Sequence, residues 1–406
     1  MDNLLPMKFP STHPWITFNL RLPQDDYLLW LKFGELASKC HHLAGVPLKP
    51  KVARELCRVY LIKGALATVA IEGNTLKEEQ AQKIASGELQ LPPSQHYLQQ
   101  EIENILEACD QLIENPPAKK ITPETIRSYN KQVLKGLEVG EDVIPGKYRL
   151  HHVTVGNVYR GAPPEECPYL VDKLCEWLNG PDFLPPDDLE KELQIPLAIV
   201  KAIVAHIYLA WIHPFGDGNG RTARLLEFHI LYSCGIPLPA AHLLSNHYNL
   251  TRTQYYRELD KASRIRDIVP FIKYAVDGFL DGIREQIGLI RDQQLSVSWE
   301  NYVYEQFRSK NTPACHRQRN LVLELSRMRE SEKEGWFPIH ALPSLSAKIA
   351  LEYASKTPKT LQRDLTALAE MNLIQRKHGH VRAHIELMEA FLPPRLPATG
   401  NATGSA

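Results

Sequence analysis

The sequence predicts a mainly α fold divided into more than one domain. Apolar residues recur at helical spacing along almost the whole chain, whereas alternating, strand-like runs are few and short. At 406 residues the chain is longer than one typical domain. Its 44% hydrophobic and 23% charged content is ordinary for a globular protein.

From Tyr27 to Ile113 the spacing predicts several helices, including one over Lys51 to Ile71 and one across "SQHYLQQEIENILEACDQLIE". "NPPAKK" interrupts the pattern, and Thr122 as cap with Pro123 at the first helical position starts a new helix, so a domain boundary is expected near Lys119. Val153, Val155, Val158 and Tyr159 flank Gly156-Asn157, a hairpin-turn pair, and predict a short β-hairpin. A long apolar helix, "LEKELQIPLAIVKAIVAHIYLAWI", follows the loop "PPDD" and should end at His213, because Pro214 disfavours α geometry in the residue before it. The next helix runs from about Gly220 to Ser233 and stops at Gly235. Helices continue through "RTQYYRELDKASRI" and on to Gln294, after which the texture changes. Asn320 to His384 reads as helix, helix, turn, helix and a small hairpin. Residues 394–406 read as a flexible tail.

Composition narrows the function classes. Lysine plus arginine equals aspartate plus glutamate at 47 each, so no global field draws nucleic acid or membrane, and any such binding must be local. No apolar run is seen to approach the roughly 18 residues of a membrane span, and no basic and apolar leader opens the chain, so a cytoplasmic protein without a membrane partner is expected. Seven scattered cysteines without a C-x-x-C pair read as reduced structural thiols.

The stretch "HPFGDGNGRTAR", His213 to Arg224, concentrates chemistry between two apolar helices. Gly216, Gly218 and Gly220 lack Cβ atoms, so backbone N–H groups can converge on an anion at which the next helix also aims its N-terminus. Arg221 and Arg224 lie three apart, on one helix face, where two guanidiniums can clamp separate phosphates. Asp217 supplies the hard oxygen that Mg²⁺ prefers, and Asn219 can donate from its amide to a charged oxygen. It is not a P-loop: Phe215 sits where that pattern needs glycine, and a helix rather than a strand precedes the loop.

The stretch resembles the signature of the Fic (filamentation induced by cAMP) family, H-P-F-x-[DE]-G-N-G-R-x-x-R, at every position, and the resemblance extends over roughly Ile121 to Ile290. Upstream, Thr68-Val-Ala-Ile-Glu72-Gly73 is similar to the [ST]-x-x-x-E-[GN] of the family's inhibitory helix. The resemblance implies a Fic-fold helical bundle with a short β-hairpin flap, and a protein adenylyltransferase with ATP as co-substrate and Mg²⁺ as cofactor. It makes His213 the general base for a Tyr, Thr or Ser hydroxyl and Asp217 the metal ligand. Asn219 and the Gly218 and Gly220 backbone would stabilise the phosphates, with Arg221 on the β- and Arg224 on the γ-phosphate. Tyr256, in "YYREL", would lie by the adenine, or serve with Tyr255 as a core aromatic. Glu72 would pair with Arg224 and hold the enzyme inactive, and the flap, Val153 to Tyr159, would take the target segment as an added strand.

The implied division is an N-terminal helical region with the inhibitory helix at 1–118, a Fic core at 119–290 and a further domain at 291–393. The layout of that last domain resembles a winged helix, with Thr357 and Pro358 starting its "KTLQRDLTALAEMN" helix. Lys356, Lys359, Arg363, Arg376, Lys377 and Arg382 make DNA or a protein its expected partner. Three alternatives stay open: a DNA-binding regulator with a nucleotide-sensing core, a Fic enzyme using another donor, and one that removes AMP. A homodimer is open too.

Overall fold

The computed structural model describes residues 7–48, 50–155, 159–328 and 335–389. Gly156, Asn157 and Val158, the expected hairpin turn, lie outside the described residues, as does the tail 394–406. The chain forms two compact units, Met1–Ile287 and Gly288–Ala406. No division falls near Lys119, because helices from both sides of it pack into one unit.

The first unit is helical: α1 (Phe9–Thr12), α2 (Tyr27–Gly45), α3 (Pro50–Ala70), α4 (Glu78–Ala85), α5 (His96–Glu114), α6 (Pro123–Val133), the hairpin β1 (Thr154–Val155) and β2 (Tyr159–Arg160), α7 (Cys167–Leu178), α8 (Glu190–Ile212), α9 (Asn219–Ser233), α10 (Leu243–Leu250) and α11 (Arg252–Ile265). The boundary at residue 287 falls inside α12 (Val269–Gln306). In β1–β2, Thr154 pairs with Arg160 and Val155 with Tyr159, antiparallel. Thr122 caps α6 by accepting from the Thr125 N–H at 3.2 Å, with Pro123 in the first turn.

α8 organises the unit. It is apolar on all sides, which suits a helix covered all round, and α2, α7 and α9 pack on it. The expectation that no apolar run is long enough to span a membrane is corrected: the stretch Pro181–Ile212 qualifies by length and composition. Its most apolar window is 89% buried inside the unit, so it is a core helix here. Lys201 and His206, the polar side chains within it, are 8% and 0% exposed.

The second unit orders helix α13 (Pro313–Arg327), strand β3 (Phe337–Pro338), helices α14 (Ala347–Tyr353) and α15 (Pro358–Glu370), then β4 (Ile374–Lys377) and β5 (His380–Ala383). The strands form one antiparallel sheet in the order β3-β5-β4. Leu361, Leu365 and Leu368 turn α15 inward onto a core with Trp299, Leu321 and Val381. Thr357 precedes α15 as expected, but its side chain makes no capping hydrogen bond.

Candidate active site

α8 ends at Ile212, and His213 follows in the left-handed region at φ 51°. The proline after it excludes a further helical turn, and the loop 213–218 feeds directly into α9. Gly218, at φ 74°, is the residue before α9, a conformation a side chain would strain. At the far end, Gly235 at φ 92° closes α9, its N–H donating to the Tyr232 carbonyl at 3.1 Å.

Arg149 holds the loop. It is 5% exposed and spends its guanidinium on backbone carbonyls: Nε donates to His213 at 2.7 Å, Nη1 to His151 at 2.7 Å and Nη2 to Ala162 at 2.5 Å. Gly161 leaves room for this packing, since a Cβ there would sit 2.8 Å from Arg149 Nη2 and 3.0 Å from His213 Cβ. Asn130 adds a second tether, donating to the Asp217 carbonyl at 2.9 Å and accepting from the Gly146 N–H at 2.9 Å.

Asn219, assigned to a phosphate oxygen from the sequence, is engaged on the loop itself: Oδ1 accepts from the Phe215 N–H and Nδ2 donates to the Phe215 carbonyl, each at 2.9 Å. At 3% exposure it shapes the cradle, and these contacts use one of its two amide hydrogens.

The side chain of His213 is half-buried, with Nδ1 3.3 Å from the Ala210 carbonyl. Burial pushes its pKa down to about 4, the carbonyl of Ala210 and the charges of Glu72 and Asp217 opposing only part of that shift. The imidazole is therefore neutral near pH 7. Asp217 keeps a half-exposed carboxylate whose Oδ1 accepts from the Gly218 N–H at 2.5 Å and from Arg221 at 3.3 Å.

Both motif arginines are buried, and each meets a carboxylate from elsewhere in the unit. Arg224, 2% exposed, donates through Nη2 to the Glu72 carboxylate at 2.5 Å and to the Thr68 carbonyl at 2.9 Å. Burial opposes ionisation of Glu72, but the charge and hydrogen bond of Arg224, aided by Arg221, outweigh it and hold its pKa below the ordinary value. A Cβ built on Gly220 would lie 2.0 Å from Glu72 Oε1, so the carboxylate rests against the cradle's own backbone. Gly73, at φ 107°, turns the chain just after Glu72.

Arg221 donates to Glu101 of α5 at 2.7 Å, an ion pair with only 7% and 14% of the two side chains exposed. Glu101 also accepts from Asn74 at 2.9 Å. Neither Glu101, Arg149 nor Asn130 stands out as a site residue in the sequence. Tyr255 proves to be a core aromatic, 4% exposed with its hydroxyl 2.8 Å from His206 Nε2. Tyr256 is 43% exposed, its hydroxyl donating to the Ile71 carbonyl at 3.4 Å beside Glu72. Next to Gly161 and the flap lies a cavity of ≈ 520 Å³ lined by residues including His13, Trp15, His152, Tyr159 and Arg160. No cluster of three or more His, Cys, Asp or Glu suited to a metal occurs among the described residues.

Comparison with known proteins points the same way. Residues 120–231 match the family model described as Fic/DOC family. The chain is 28% identical over 269 residues to the protein adenylyltransferase fic-1 of Caenorhabditis briggsae, covering 65% of this chain and 48% of that protein. It is 31% identical over 209 residues to the protein adenylyltransferase Fic of Nematostella vectensis, covering 50% and 44%. The chain thus spans about half the length of the curated relatives it matches. The fold is similar to that of a Fic family protein from Desulfovibrio desulfuricans G20, with a TM-score of 0.54, 20% identity and coverage of 90% and 97% of the two chains. It is also similar to that of Fic-1 from Caenorhabditis elegans, at a TM-score of 0.53, 24% identity and coverage of 66% and 74%. At these identities the structural likeness is one of fold.

Proposed function

Because the chain carries a Fic/DOC-family domain at residues 120–231, we propose that it is a protein adenylyltransferase restrained by its own Glu72, moving AMP from ATP to a Tyr, Thr or Ser hydroxyl of a target protein. The observation that carries this reading is one glycine loop on which a neutral imidazole, an anion cradle and two buried arginines converge, with a carboxylate of the same chain resting in the cradle.

In the proposed reaction the target oxygen bonds to the α-phosphorus of ATP, the bond from that phosphorus to the oxygen bridging to the β-phosphate breaks, and pyrophosphate leaves with the electron pair. The hydroxyl proton passes to Nε2 of His213, which keeps a lone pair when Nδ1–H faces the Ala210 carbonyl. The Gly216–Gly220 backbone and the N-terminus of α9 receive the phosphates, with Arg221 on the β- and Arg224 on the γ-phosphate. Asp217 would hold magnesium; one partly free, half-exposed carboxylate fits an ion commonly bound by one or two carboxylates plus substrate phosphates. When bound, that ion supplies charge neutralisation at the phosphates. Tyr256 is the candidate at the adenine, and the edge of β1–β2 the place where an extended target segment adds a strand.

The restraint follows from occupancy. A carboxylate bound to Arg224 and set against Gly220 lies where a terminal phosphate should. A charge-assisted hydrogen bond is worth ~1.5–3 kcal/mol, and Glu72, with 35% of its side chain exposed, belongs at the lower end, so the competent population falls about tenfold. A second reading, removal of AMP, uses the same residues, with the Glu72 carboxylate set against the Gly220 backbone as the group that positions water.

The test uses ATP labelled at the α- or γ-phosphate, magnesium and a host lysate. Covalent α-label that disappears with His213→Ala is the expected result. Transfer of γ-label would replace this reading with phosphoryl transfer, and release of AMP from prelabelled protein without any forward transfer would favour the second.

A further inference from the structure

The outward face of α15 has no role in the transferase reading, and its chemistry is distinct from that of its inward face. Inward, beside the leucines, Asp364 is 2% exposed and fully engaged: Arg317 donates at 2.7 and 3.1 Å, Gln318 at 2.9 Å and the Tyr353 hydroxyl at 2.9 Å. Outward, Lys359, Gln362, Arg363, Thr366 and Glu370 are exposed along one helical stripe. Residues 347–383 hold seven Lys and Arg against three carboxylates, in a chain whose net charge is zero. Of those carboxylates Asp364 is consumed in the core and Glu352 accepts from Asn320, which leaves Glu370. Lys348, Lys356, Lys359, Arg363, Arg376 and Lys377 are exposed, and none has an ion-pair partner among the described residues.

We propose that the second unit binds duplex DNA, with α15 entering the major groove and the β4–β5 hairpin meeting the phosphate backbone. A helix of 13 residues is about 20 Å long, and the major groove, ~12 Å wide, admits an α-helix. Lys359, Gln362, Arg363 and Thr366 are the side-chain types that reach base edges there. Lys356, beside the N-terminus of α15, and Arg376 and Lys377 on the hairpin supply phosphate contacts that orient the unit. A protein-binding face would centre on aromatic or apolar anchors. The exposed stripe of α15 has none. This inference does not rest on the transferase reading and stands or falls separately from it.

The experiment is fluorescence anisotropy of the full chain with a labelled, random-sequence 30-base-pair duplex between 50 and 200 mM salt. With three phosphate contacts, affinity should fall by between one and two orders of magnitude over that range. The double variant Arg376→Ala/Lys377→Ala should weaken binding at least tenfold at 50 mM salt and reduce the log–log salt slope by about two. Both side chains are exposed, so its melting temperature should match wild type, and His213→Ala should bind as wild type does. Absence of binding at 50 mM salt overturns the proposal, as does binding indifferent to the double substitution. Equal affinity for a poly-glutamate peptide would assign the face to acidic proteins and likewise overturn it.

Discussion

Two carboxylates reach the motif arginines from two regions of the first unit, and their settings differ. Glu101 stands inside the 19-residue helix α5, 14% exposed at its side chain, tied to Arg221 on one oxygen and to Asn74 on the other. Glu72 stands in the turn after α3, with 35% of its side chain exposed and Arg224 as its ion-pair partner. A carboxylate fixed within a helix and doubly bonded behaves as scaffold, whereas one on a turn can leave by a local rearrangement. Position along the helix thus distinguishes a support from a latch, although both pairs look alike as distances.

The largest expected effect lies at the base. With Glu72→Gly in place to open the cradle, His213→Ala should lower AMP transfer by ~10²–10⁴-fold, measured by α-label incorporation. A smaller loss would mean that the buried imidazole contributes only to shape.

The comparison itself breaks most readily at Glu101. Glu101→Ala leaves Arg221 buried with only the partly exposed Asp217, at 3.3 Å, as partner. Removing one member of a buried pair costs 3–5 kcal/mol, so with that second partner retained a loss of about 2–4 kcal/mol is expected in denaturant unfolding, together with weaker nucleotide binding. Glu72→Gly, which removes a one-third exposed carboxylate and leaves Arg224 the Thr68 carbonyl at 2.9 Å, should cost less, about 1–2 kcal/mol. If the two substitutions destabilise equally, the division into support and latch fails.

Acid sharpens the comparison further. His242 is buried, packed against Gly64 and held down to about 3 by burial. Its folded-state pKa lies below the unfolded value, so protonation favours the unfolded chain. Stability should therefore decline as pH falls from about 6.5 toward 3, by at most ~1.4 kcal/mol per pH unit from this group. Glu72 depends on pH in the same direction but in a lower window: its lowered pKa adds stability above the unfolded value of about 4.5, lost as pH falls through the folded one. Thermal unfolding between pH 5 and 7 should show the histidine slope while the Glu72–Arg224 pair stays intact. His242→Gln should reduce that slope, with other histidines whose pKa burial lowers, among them His213 and His229, carrying the rest.

Local signals carried much of this arrangement. Pro214 marked the end of α8, Gly235 the end of α9, and Thr122-Pro123 the start of α6, because each acts on its own backbone neighbours. Glycines 216, 218 and 220 and both arginines were readable because one loop holds them. What stayed hidden depends on partners far away in sequence. Glu101 meets Arg221 across 120 residues and Arg149 meets His213 across 64, and in sequence they read as ordinary charges on a helix and before a hairpin. Asn219 shows a related limit: its residue type permits phosphate binding, but only the folded loop reveals that the Phe215 backbone also engages its amide.

Glu72→Gly carries the smallest expected change and tests the central claim most directly. Purified wild type and Glu72→Gly would be compared for α-label transfer from ATP under identical magnesium and lysate conditions. A rise of about tenfold, with a smaller loss of stability than Glu101→Ala shows, is the result expected of a carboxylate that leaves the cradle to admit the nucleotide. Equal transfer by the two proteins would contradict it and reduce the Glu72–Arg224 pair to a structural contact.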